Sequence, residues 1–330
     1  MTLERMQREE SPERLLEPGS FWATRLVLAA VKLDLFSRLD GAARSVESLA
    51  RELGLHPRGL ALFLDALASL GLLRKEGESY QNEPIAAQQL VRGREGFAGH
   101  QLLLDEEDWG RWVHLEEALR LGGSPFGDDP LYGEAGRLRN LLLGLHRDAQ
   151  GIAPALARRL ELEGCRRLLD LGGGAGSYSV AFCREHPELR SWLLDLPAAI
   201  EVAREVVGRS EVADRVEFIA ADFCRDPIPG RYDVVFASNI LHARGEEENR
   251  SLLRRVRGVL EEGGRLIVRE PFLREDGAAP PWAAVFSVYL LLHTRAGRCY
   301  RTREVAGWLE EVGFREVREL DPLELLQARA

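Results

Sequence analysis

Leu168-Leu169-Asp170-Leu171-Gly172-Gly173-Gly174-Ala175-Gly176-Ser177 decides how this chain is read. A short apolar run carries an acid, and four glycines then fall within the five positions 172–176. A bounded apolar run of this length reads as a buried parallel strand. The glycines read as a tight strand-to-helix turn with no Cβ in the way. A ligand can then come close to the backbone and to the N-terminus of the following helix. The pattern points to a nucleotide-like cofactor. Its spacing is G-x-G-x-G, with Ser177 standing where the last glycine of a dinucleotide-binding G-x-G-x-x-G would be.

Three further runs repeat the strand-then-polar pattern. Ser191-Trp192-Leu193-Leu194-Asp195 ends in an acid 25 residues after Asp170. A carboxylate at the tip of a second strand accepts hydrogen bonds from both hydroxyls of a ribose, which suits a nicotinamide cofactor equally well. Arg215 to Phe223 is a strand followed by Asp222 and the aromatic Phe223. The acid there can accept from an adenine amino group while the aromatic packs on a ring face. Tyr232 to Leu241 is a strand whose exit brings His242 to the same sheet edge.

These elements, in this order, resemble the class I S-adenosylmethionine-dependent methyltransferases. They are most similar to the plant and bacterial small-molecule O-methyltransferases that include the caffeate, acetylserotonin and polyketide-tailoring enzymes. The matching pieces are Asp170-Leu-Gly-Gly-Gly-Ala-Gly, Asp195-Leu196-Pro197, Ala221-Asp222-Phe223, Leu241-His242 and Gly263-Gly264-Arg265 through Glu270-Pro271. The resemblance implies an α/β, Rossmann-like, seven-stranded methyltransferase domain behind a mainly α-helical winged-helix dimerisation domain. The expected boundaries are 1–95 for the dimerisation module, 96–160 for a helical connector lining the substrate pocket, and 161–330 for the catalytic domain. The cofactor it implies is S-adenosyl-L-methionine, leaving as S-adenosyl-L-homocysteine. By that resemblance Asp170, Gly172 and Gly174 shape the site at the methionine part, and Asp195 takes the ribose hydroxyls. Leu196 flanks the adenine, Asp222 and Phe223 hold it, and Ser238 lies near the sulfonium end. Taken alone, Asp222 is equally a turn or capping acid.

Composition agrees with a soluble enzyme of this size. The chain has 330 residues, enough for one large domain and a smaller companion. The formal net charge of −9 disfavours nucleic acid and anionic membranes as partners. No apolar run reaches the ~18 residues of a spanning helix. Met1 to Glu10 carries no apolar signal core, so a cytoplasmic location is expected. Cys165, Cys183, Cys224 and Cys299 are scattered without a C-x-x-C pair, which suits reduced thiols and no metal site.

The first third has its own logic. Phe21 to Leu39 is apolar at helical spacing, Ser45 caps Val46–Leu53, and Pro57 opens Arg58–Leu70. Gly71 to Tyr80 reads as two short strands around a turn. Three helices and a hairpin make a winged helix. The bare motif suggests a DNA-binding regulator that senses the cofactor, but Arg58 to Leu67 holds one arginine among mostly apolar residues. A reading helix needs basic and amide side chains toward the groove. In similar enzymes this module builds a homodimer and lends residues to the partner's substrate pocket. Farther on, Gly122 to Pro130 is a loop by composition and Leu138–Leu160 a long helix carrying His146.

The chemistry that the resemblance implies is methyl transfer to a hydroxyl of a small aromatic acceptor. A phenol is mostly protonated at neutral pH, so a base helps. His242 is the candidate base, at the ligand crevice of an open α/β sheet. Glu270, at the end of the fifth strand, is expected to orient it, or else to pair with Arg269 or Arg274. His146, Phe286, Tyr289, His293 and Tyr300 are the candidate substrate-pocket residues. Two positions depart from the family pattern. His242 is followed by Ala243-Arg244 where Asp-Trp is usual, and Tyr300 stands where similar enzymes carry a second glutamate. Methylation at carbon or nitrogen, or a non-methylating use of the cofactor, therefore remains an alternative to O-methylation. A nicotinamide-dependent oxidoreductase is the rival from another class.

Overall fold

The computed structural model describes residues 18–94, 96–127, 135–321 and 324–330. The chain divides into two compact units between Arg111 and Trp112.

The first unit contains α1 (Pro18–Lys32), α2 (Leu35–Arg38), β1 (Arg44–Ser45), α3 (Val46–Leu53), α4 (Pro57–Ser69), β2 (Leu73–Glu76), β3 (Ser79–Asn82), α5 (Pro84–Gln89) and all but the last residue of α6 (Gly99–Trp112). Local chemistry sets most of these boundaries. The Ser45 hydroxyl accepts from the Ser48 amide, and Gly54 ends α3 in the left-handed region. The His56 ring accepts from the Arg58 amide, with Pro57 in the first turn of α4. The strands pair antiparallel in the order β1-β3-β2, the wing of a winged helix. Ala30, Val31, Phe36, Leu49, Leu60, Leu64, Leu67 and Tyr80 share one core. The expected helix from Phe21 to Leu39 is instead broken: Asp34 takes φ 54°. Its carboxylate accepts from Ser37 at 2.7 Å and Arg92 at 3.0 Å. Aspartate tolerates the left-handed region by bonding locally, so the apolar period continues across a break in the helix. The outer face of α4 presents Arg58, Leu62 and Asp65, with Asp65 bound to Lys75 and Tyr80 at 2.6 Å each.

The second unit contains α7 (Leu115–Leu121), α8 (Ala135–Arg159), β4 (Arg167–Leu171), α9 (Ser177–Glu185), β5 (Arg190–Asp195), α10 (Pro197–Val207), β6 (Val216–Ala220), β7 (Tyr232–Ser238), α11 (Glu246–Val259), β8 (Leu260–Arg269), α12 (Pro281–His293), α13 (Thr302–Glu311), β9 (Arg315–Asp321) and β10 (Leu325–Arg329). The seven strands lie in the order β6-β5-β4-β7-β8-β10-β9. The first five are parallel, and β10 runs antiparallel to both its neighbours. Successive residues of β4 point to opposite faces, and both faces are covered. Leu168 joins Ala157, Phe182 and Phe236 on one side, whereas Leu169 joins Val235, Leu253 and Trp308 on the other. This is why the strand reads as an unbroken apolar run. Chain order reverses between β4 and β7, and ligands of such sheets bind at the strand carboxyl ends beside that reversal. The glycine turn, Asp195, Asp222 and His242 all leave strands at that edge. Residues 128–130 of the expected loop lie outside the described residues. Among the described residues no helix is long and apolar enough to cross a membrane.

Candidate active site

The glycine turn cannot be built from other residues. Gly172, Gly174 and Gly176 have φ of 65°, 54° and 82°. A Cβ on Gly172 would stand 2.3 Å from Ile240 Cδ1, and one on Gly173 2.6 Å from Leu193 Cγ. Above the turn, Leu142 of α8 would meet a Cβ on Gly174 at 3.2 Å. Asp195 ties the turn to β5: its carboxylate accepts from the Gly174 amide at 2.9 Å and the Leu196 amide at 2.7 Å. Each carboxylate oxygen keeps a second acceptor position, so ribose hydroxyls can still bind. Burial raises the Asp195 carboxyl above its ordinary range, opposed by those two amides and by Arg244. Below the turn Asp170 is fully enclosed, accepting from Ser179 at 2.6 Å; burial lifts it to about 6.

The segment after β6 lies against the glycine turn. Phe223 is 6% exposed, and its ring edge would stand 3.3 Å from a Gly172 Cβ. Asp222 shapes the turn that carries it, accepting from the Cys224 amide at 2.9 Å. Ser238 closes β7 opposite Arg269 of β8. A Cβ-free cradle, a carboxylate at the end of β5 and a flat buried ring beside the turn have chemistry that fits S-adenosylmethionine.

The candidate base is held from its far side. His242 Nδ1 lies 2.7 Å from Glu270 Oε2, and Glu270 Oε1 accepts from both the Ile240 and Leu241 amides at 2.6 Å. Two adjacent amides reach one oxygen because Asn239 takes φ 58° as the chain leaves β7. The carboxylate thus has donors on both oxygens, so the network assigns Nδ1 as the protonated nitrogen and leaves Nε2 as an acceptor. The alternative pairings of Glu270 are not made: Arg269 pairs with Glu324 at 3.1 Å.

An aromatic row continues from this base along α12. The His242 ring meets Phe286 in a T at 5.2 Å; Phe286 stacks on Tyr289 at 5.5 Å, and Tyr289 on His293 at 3.9 Å. Phe286 and Tyr289 are half-buried; His293 is fully buried and bonds the Tyr289 carbonyl at 2.8 Å. Cys299 lies in the same apolar cluster, its amide held by Ser287. The remaining two pocket candidates are placed elsewhere. Tyr300 is core, edge-on to Trp308 at 4.7 Å, with its hydroxyl donating to the Arg244 carbonyl. His146 sits over the first turn of α9, 2.8 Å from the Ser177 hydroxyl. Burial and Arg209 lower its pKa.

Sequence reasoning missed the amides of Ile240 and Leu241 as holders of Glu270, and Ser179 and Ser191 as partners beneath the turn. Backbone amides carry no sequence signal. The two serines sit among apolar neighbours in β5 and α9, which is a weak one.

Residues 131–315 match the O-methyltransferase domain family, and residues 18–92 the O-methyltransferase dimerisation domain family. The chain is 34% identical over 308 residues to the tetracenomycin polyketide synthesis 8-O-methyl transferase TcmO of Streptomyces glaucescens, covering 91% of this chain and 90% of that one. It is 32% identical over 302 residues to the 3-hydroxy-5-methyl-1-naphthoate 3-O-methyltransferase of Streptomyces sahachiroi, covering 90% and 87%. Its fold is that of human N-acetylserotonin methyltransferase solved with S-adenosylmethionine, with a TM-score of 0.82 at 22% identity over 97% of this chain and 98% of that one. A glycine cradle at a parallel-sheet edge, with both domain families in order along one chain, places this protein in the S-adenosylmethionine-dependent O-methyltransferase family.

Proposed function

We propose that this enzyme methylates a hydroxyl of a planar, polycyclic aromatic metabolite, with His242 as general base and Glu270 as its positioning residue. The observation that carries this reading is the His242–Glu270 pair at 2.7 Å, flanked by the Phe286–Tyr289 stack. The two Streptomyces relatives, named for a polyketide and a hydroxynaphthoate, support a fused aromatic acceptor.

Bound S-adenosylmethionine supplies a methyl group already made electrophilic by its sulfonium. The chain's residues do the rest. Phe286 and Tyr289 give a flat apolar wall that orients an aromatic plane and excludes water. His242 Nε2 takes the hydroxyl proton, and Glu270 stabilises the imidazolium that forms. A base so placed contributes about 10²–10⁴ in rate. On this reading Asp195 and the Gly172–Gly174 turn hold the cofactor, with Asp222 and Phe223 at its adenine. The dimerisation-domain match supports a homodimer acting on a small molecule; on this reading the enzyme works in the cytoplasm, without nucleic acid or membrane partners.

The test is transfer of labelled methyl from S-adenosylmethionine to phenols of one to four fused rings. Turnover rising with ring number, and lost in His242→Ala, is expected. Turnover only on amines, or full turnover in His242→Ala, would overturn the proposal.

A further inference from the structure

Arg244 is where this chain departs from its family, with an arginine in place of the usual tryptophan two residues after the histidine. The side chain is half-buried, and two of its nitrogens are held. Its Nη1 donates to the Ile240 carbonyl at 2.6 Å and its Nε to Cys224 Sγ at 3.0 Å. Its Cζ lies 4.9 Å from the centre of the Phe223 ring. Its backbone carbonyl is fixed by the Tyr300 hydroxyl and, at 3.4 Å, by Asn249. The residue therefore spans two strand exits, from the turn after β6 to the turn after β7. Phe223, whose ring it lies over, and Ile240, whose carbonyl it holds, are also the two residues whose side chains crowd Gly172.

A loop brace would explain the two hydrogen bonds but not the remaining features. Among the described residues, Nη2 has no hydrogen-bond acceptor. The guanidinium makes no ion pair with Asp195, yet its charge acts on that carboxylate against the effect of burial. A planar cation fixed on an aromatic ring, with one unused donor edge, is a surface that takes a flat, electron-rich ring. Guanidinium planes stack on nucleobases for the same reason.

We propose that Arg244 is a positioning residue for the adenosyl end of the cofactor, its guanidinium plane standing in for the usual tryptophan ring and its Nη2 giving a charged donor. The charge of Arg244 acts on Asp195, and that of Asp195 on Asp170 beneath the turn.

The test measures binding of S-adenosylhomocysteine and of 5′-methylthioadenosine, which lacks the amino-acid end, by calorimetry. Wild type is compared with Arg244→Ala, Arg244→Trp and Arg244→Lys. Arg244→Ala is expected to weaken both ligands about tenfold and by equal factors. Arg244→Trp restores the plane without either hydrogen bond, and is expected to bind both within about threefold of wild type. Arg244→Lys keeps the charge and loses the plane, and is expected to stay weak. Unchanged affinity in Arg244→Ala overturns the proposal, as does a loss confined to S-adenosylhomocysteine. A tryptophan variant no better than alanine also overturns it, because that is the behaviour of a brace. Should Arg244→Ala not fold, the order of the tryptophan and lysine variants decides: lysine binding better than tryptophan overturns it. No acceptor is present, so the outcome is independent of the role given to His242.

Discussion

Glu270 reaches His242 from the neighbouring strand, Oε2 to Nδ1 at 2.7 Å, while its other oxygen takes the two amides just before that histidine. One carboxylate therefore fixes both the imidazole and the backbone that carries it. Glu270→Gln presents an amide to the ring. If the amide N–H faces Nδ1, the tautomer inverts and Nε2 becomes a donor. The expected result is a kcat lower by about 10²–10⁴, with S-adenosylhomocysteine affinity within about twofold of wild type. Equal kcat values would remove Glu270 from the mechanism.

Removing the carboxylate altogether acts on stability. Glu270 is 4% exposed, and Glu270→Ala leaves the Ile240 and Leu241 amides buried without their acceptor. The expected cost is about 2–5 kcal/mol in urea unfolding, larger than for Glu270→Gln, which keeps an acceptor oxygen. A smaller cost for alanine than for glutamine would contradict this account.

The glycine turn makes a steric prediction. Gly172→Ala places a methyl group 2.3 Å from Ile240 Cδ1 at a φ of 65°. Strain of about 1–3 kcal/mol is expected, with a displaced turn and weakened S-adenosylhomocysteine binding. Pairing it with Ile240→Val relieves the contact but not the backbone, so calorimetry on the double variant should show partial recovery at most. Asp195→Ala should lose binding more completely, since it removes both the ribose acceptor and the tie to the Gly174 amide.

The buried Asp170 sets a pH dependence. Its folded pKa, about 6, is raised from an unfolded value near ~4 by burial, so the fold holds its proton more tightly than the open chain does. Ionising it within the fold is therefore unfavourable. That penalty is absent below pH ~4, grows as pH rises, and is complete above pH ~6, reaching about 3 kcal/mol. Asp170→Asn removes the titration and keeps an acceptor for Ser179. Relative to wild type, the variant should gain stability between pH 4 and 7 in a urea-unfolding series. A difference that stays flat across that range would show that Asp170 is not desolvated as described.

Much of this architecture is local and therefore legible. Leu168 to Ser177 specifies a strand, a turn only glycine can make and a helix start, because apolar period and φ are properties of neighbouring residues. The acids at the ends of β5 and β6 and the histidine after β7 follow by the same rule, as do the caps of α3 and α4. The break at Asp34 escaped it because the partners of that carboxylate include Arg92, far along the chain.

What the tertiary structure decided is where side chains at strand exits point and what they meet. Glu270 and His242 are 28 residues apart, and their pairing needs β7 beside β8 and the left-handed turn at Asn239. Tyr300 follows no local signal into the core; Trp308 and the Arg244 carbonyl hold it there. His146 goes to Ser177 because α8 lies along α9. A sequence states which residues are polar and how they are spaced. Partners brought together by strand order and helix packing come from distant segments, and only folding brings them into contact.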